Sequence, residues 1–121
     1  MNNMTVGQLI EKLGVAPESI DFDEVIDTIS EYYQYLPTKF TNGVGDRALV
    51  NEAGSNEGSC KIFSFAKLNN LSDIETLACF GRFYRDDVLA NLSGDDHANI
   101  RKFMEQGWSG LKFDNVALVN K

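Results

Sequence analysis

Apolar residues fall at helical spacing twice in the first third of the chain. Thr5 precedes Val6, Leu9, Ile10 and Leu13, which share one face, and Gly14 stands where a glycine ends a helix. After Pro17, Asp21 and Glu24 have the spacing of a capping box, and Ile20 and Val25 that of a hydrophobic staple. A second helix is therefore predicted from Phe22, with Val25, Ile26, Ile29 and Tyr33 toward the core and Pro37 as its latest end.

The pattern then changes period. Asn42-Gly43 is a hairpin-type turn signal and Ala48 to Val50 a short strand candidate. The stretch from Cys60 to Leu68 is ambiguous. Lys61, Phe63, Phe65 and Lys67 alternate as in a strand, yet the same residues fit two helical turns, and β propensity favours the strand. Ser72 and Glu75 repeat the capping-box spacing, and Leu77, Phe80, Gly81, Tyr84 and Val88 predict one long central helix. Gly81 in its interior implies either a close crossing by another element or a bend. Asp95 or Asp96 is placed to cap a further helix carrying Ile100, Phe103 and Met104 and ending at Gly107, and Leu111 to Phe113 and Val116 to Val119 read as strands. The expectation is an α+β fold, a single compact domain over residues 1–121 with about four helices packed on a small, mainly antiparallel curved sheet.

Composition narrows the function more than the fold. A hydrophobic content of 43% and a charged content of 24% suit a globular chain that buries a core without metal or disulfide. The net charge of −7, with no run of three basic residues, argues against nucleic acid and against an anionic membrane surface. Cys60 and Cys79 lack the CxxC spacing, and no signal-peptide pattern opens the chain, so a cytoplasmic location with reduced thiols is expected.

Candidate chemistry concentrates in three polar strings. Cys60 follows the Gly-rich Asn51 to Ser59 loop and precedes Lys61, a setting that suits a nucleophilic thiol, although a free Cys is more often a small buried apolar residue. His97 is the single histidine; with Asp96 beside it, a Cys60, His97, Asp96 arrangement can be drawn, against the plainer reading of a helix-start histidine. Neither a zinc site built on one His and two distant Cys nor an EF-hand is present, and "GSNEGS" lacks the P-loop spacing while Glu52 and Glu57 would repel phosphate. No cofactor or metal is expected. Arg82 and Asp86 are spaced for a helix-surface pair, and Arg85 is a candidate to hold the loop carboxylates. Asn51, Glu52, Asn56, Glu57, Arg85, Asn99 and Arg101 are the binding candidates, with Asn51, Asn56 and Asn99 alternatively tying loops to the backbone.

The strings "VNEAGSNEGSCKIFSFAKL", "LSDIETLACFGRFYRDDVL" and "DDHANIRKFMEQGWSGLKF", with the terminal "NVALV", resemble the HopJ type III effector family from about Phe22 to Val119. The resemblance implies a small single-domain bacterial protein of unestablished activity, from a family named for effectors delivered into host cells. It carries no catalytic residue or cofactor with it. Two readings remain open: a noncatalytic binding or effector-like module, monomeric or weakly dimeric, with a protein or small-molecule partner; and a small thiol-dependent enzyme or ligand-binding protein using Cys60 with His97. Both place the Gly-rich loop and the acid-flanked imidazole in one concavity over an aromatic interior.

Overall fold

The computed structural model describes residues 4–121. Helix α1 (Val6–Val15) is capped by Thr5, whose side chain accepts from the Gln8 amide while Gln8 reaches back to the Thr5 amide. It packs on α2 (Phe22–Tyr32), which begins with the Asp21/Glu24 capping box. The two are joined by an ion pair of Lys12 with Glu24 at 3.0 Å. Leu9 and Leu13 of α1 and Val25 and Ile29 of α2 are fully buried, as the stripes require.

The chain then enters β1 (Tyr33–Tyr35), β2 (Phe40–Asn42) and β3 (Leu49–Asn51). Two small antiparallel sheets result instead of one. β1 pairs with β5 (Leu118–Asn120), and β2 lies between β3 and β4 (Leu111–Phe113). Both sheets join the front of the chain to its end, with Tyr33 opposite Asn120 and Phe40 opposite Phe113.

Between the sheets and α2 runs α3 (Glu57–Leu68), which corrects the strand expected from Cys60 to Leu68. Cys60, Ile62, Phe63, Ser64, Phe65 and Ala66 are all buried, so the helix is enclosed around most of its circumference and shows no amphipathic stripe. Phe63 sits at the centre of the core, its ring 5.1 Å from Phe103, 5.4 Å from Phe80 and 6.2 Å from Phe40.

The long central helix is also corrected. Helix α4 (Asp73–Ala78) starts on the Ser72/Glu75 capping box, but Gly81 then takes a positive φ of 56°. Beyond it the chain forms a π-helical segment, Phe83–Val88. The last helix, α5 (Ala98–Gln106), is preceded by His97 and not by Asp95 or Asp96 as its N-cap. No helix of the described residues is long and apolar enough to cross a membrane.

Candidate functional site

Two helix beginnings meet at one cavity of about 390 Å³. Asn56, Gly58 and Ser59 contribute from the start of α3, and His97, Ala98, Asn99 and Ile100 from the start of α5. Phe22, Phe80 and Phe83 supply its aromatic part. Phe83 packs edge-on against Phe22 at 5.0 Å and tilts over the His97 ring at 5.3 Å.

The residues before α3 and α5 share an uncommon backbone. Asn56 and His97 both lie in the left-handed region, with φ of 51° and 50°. In that conformation neither side chain caps its own helix. The first amides of both helices thus have no side-chain cap among the described residues, and each helix carries the partial positive charge of its N-terminus. The side chains released from capping go elsewhere. Asn56 Nδ2 donates to Asn51 Oδ1 at 2.6 Å, and His97 Nε2 lies 2.9 Å from Asp87 Oδ2.

Behind the cavity the asparagines form a buried network. Asn99 Nδ2 donates to Asn51 Oδ1 at 2.8 Å, while Asn99 Oδ1 accepts from Asn42 Nδ2 at 3.1 Å and Asn51 Nδ2 at 3.2 Å. Asn42 also donates to the Asn99 carbonyl at 2.9 Å. This ties α5 to strands β2 and β3. Asn51 and Asn99, taken from the sequence as binding candidates, spend their amide groups on this network. Asn42 belongs to it too, and the turn chemistry of Asn42-Gly43 gave no sign of that.

Arg101 holds the loop before α5. Its Nη1 donates to the Asn91 carbonyl at 2.9 Å, its Nε to the Asp96 carbonyl at 2.6 Å, and its Nη2 pairs with Asp96 Oδ1. Hydrogen bonding and charge from Arg101 hold the Asp96 carboxyl below the usual range. The other oxygen of Asp96, Oδ2, lies 4.0 Å from His97 Nε2. Glu52 and Glu57 are solvent exposed.

Arg82 does not pair with Asp86. It reaches Asp21 at 3.1 Å and covers the Phe83 ring at 4.8 Å, fastening the π-helical segment to the start of α2. The Arg85 side chain makes no hydrogen bond or ion pair among the described residues, and its Nη1 is buried without a partner, so it does not hold the carboxylates of the Asn51 to Ser59 loop.

Cys60 is outside the cavity lining. It is 1% exposed, with Sγ donating to the Thr38 carbonyl at 3.9 Å, and burial pushes its thiol up. Cys79 is fully buried, and burial pushes its thiol up to about 12. Native alkylation by iodoacetamide at pH 7.5 is expected to run at least about tenfold slower than in the urea-unfolded chain, because the thiolate is the reacting form. Equal rates would show an exposed, activated thiol. The raised values also set a sign: the native state keeps thiol protons that the unfolded chain releases above its ordinary value of 9.0, so stability should fall as pH rises past about 9. A melting temperature flat from pH 8 to 10.5 would contradict this.

Asp87, absent from the candidates read off the sequence, completes the acid-flanked imidazole. It comes from the π-helical segment ten positions before His97, a separation at which no helical or strand spacing signals contact. A crystal structure of VPA0580, a protein of unknown function, is similar at 45% identity, with a TM-score of 0.93, over 100% of this chain and 97% of that one. No curated protein matches the chain. The HopJ type III effector protein family matches residues 6–118, from the first turn of α1 into β5, and the chain belongs to that family.

Proposed function

We propose that this HopJ family member is a noncatalytic binding module whose ligand site is the cavity between the starts of α3 and α5. The observation that carries the reading is the convergence of two helix N-terminal turns, neither capped by a side chain, on one concavity with aromatic walls. Such amides donate to acceptor oxygens, and the helix dipoles favour negative charge there. Phe22, Phe80 and Phe83 offer an apolar body somewhere to pack. The ligand class that fits both halves is a small organic acid, its carboxylate at the helix ends and its apolar part against the rings. A compact dianion fits less well, because Asp87 and Asp96 set negative charge beside the His97 ring that lines the cavity.

Titration of ¹⁵N-labelled protein with benzoate and with short aliphatic carboxylates tests this. Saturable amide shifts are expected at Gly58, Ser59, Ala98, Asn99 and Ile100, and Ser59→Phe should abolish them by filling the cavity. Shifts that stay linear, or that scatter over the surface, would defeat the reading.

A further inference from the structure

We infer that Asp87, Asp96 and His97 form a divalent metal site at the rim of the cavity, taking a cation of the Zn²⁺ or Mn²⁺ type. One ligating atom from each of these three residues lies within 4.8 Å of the others. One imidazole nitrogen and two carboxylate oxygens suit first-row divalent cations, and three protein ligands leave coordination positions open.

This is more than a group of surface acids. One oxygen of each carboxylate, Asp87 Oδ2 at 2.9 Å and Asp96 Oδ2 at 4.0 Å, is turned toward the same ring nitrogen. The nearest fixed cation, Arg101, engages the other oxygen of Asp96 and so orients the carboxylate from behind, as a supporting hydrogen bond to a metal ligand does. Asp87 and His97 come from different elements, the π-helical segment and the start of α5, so the three groups are brought together by the fold and not by sequence proximity alone.

The charge balance links the site to the cavity, and here the inference rests on the proposed carboxylate site. Asp87, Asp96 and Arg101 leave the rim negative, which opposes a carboxylate approaching the helix ends. A bound divalent cation reverses that sign and offers the carboxylate an open coordination position beside the ring that lines the cavity.

Calorimetric titration of the full chain with ZnCl₂ and with MnCl₂, without any carboxylate, tests the metal site alone. One saturable site is expected, weakened at least tenfold in Asp87→Asn and in His97→Asn. Asparagine is chosen at position 97 because it tolerates the left-handed backbone, and an unchanged metal-free melting temperature will show that the fold survives. In the Mn²⁺ complex the amides of Ala98 and Asn99 should broaden first. No binding of either ion, or the same affinity in both variants, overturns the inference. Benzoate titrated with and without Zn²⁺ separates the two proposals. Binding at least tenfold tighter with the metal supports the link; metal binding with no benzoate response at any concentration keeps the metal site and defeats the carboxylate reading; benzoate binding with no metal binding does the reverse.

Discussion

Gly81→Ala is expected to lower the melting temperature by about 10 °C or more, the equivalent of about 3 kcal/mol in a domain of this size. Two costs add. The residue sits at φ 56°, which an L side chain adopts at roughly 1–2 kcal/mol. A Cβ there would lie 2.5 Å from the Phe22 amide nitrogen and 3.2 Å from the Asp21 Cα. Those atoms are backbone at the start of α2, so they yield only if α2 moves. Gly14→Ala is the matching control. Its Cβ would meet only the Glu75 carboxylate, at 3.7 Å, and helix propensity should make that change neutral or stabilising by up to about 1 kcal/mol. Equal melting temperatures for the two variants would remove the close crossing from the account.

Asn99→Ala is the second large effect, expected at about 3 kcal/mol of lost stability in urea unfolding. It deletes the acceptor shared by Asn42 and Asn51 and the donor to Asn51 Oδ1, while leaving those amides buried. Asn99→Asp discriminates between lost volume and lost hydrogen bonds. It keeps the shape but sets a second acceptor where Nδ2 stood, 2.8 Å from Asn51 Oδ1. Protonation restores a donor, so this variant should be more stable relative to wild type near pH 4 than at pH 7, the raised carboxyl losing its contribution as pH rises. A loss below about 0.5 kcal/mol in Asn99→Ala would mean the network is replaced by water.

Where a helix shows one face to the core and one to solvent, its residues announce it, and α1 and α2 were legible, α2 down to its capping box. Helix α3 was not, for the opposite reason: with Phe63, Ser64, Phe65 and Ala66 all buried, consecutive positions are alike in environment and the helical period vanishes. What remained visible was the alternation of Lys61, Phe63, Phe65 and Lys67, which imitates a strand. At Gly81 the sequence offered a bend or a close crossing, and both are present, but a positive φ ends the α-helix there.

The site divides in the same way. The polar strings marked the starts of α3 and α5, because glycine, asparagine and histidine stand out against apolar neighbours. The left-handed turn of His97 and its contact with Asp87 depend on how the π-helical segment docks, which no local pattern encodes. Cys60 was conspicuous for its polar approach, yet one helical step carries it from the cavity wall at Ser59 to the buried side.

The pairing of Tyr33 with Asn120 and of Phe40 with Phe113 has a kinetic consequence. Strands β1 and β2 each pair with a strand far along the chain, so the β1–β5 and β2–β4 ladders form only when the whole stretch between their strands has been brought round. Such long loop closures slow the search for the native state toward the millisecond-to-second range of nonlocal topologies. Until those two ladders close, the helices between them are held without the contacts that tie residues 33–42 to residues 111–120.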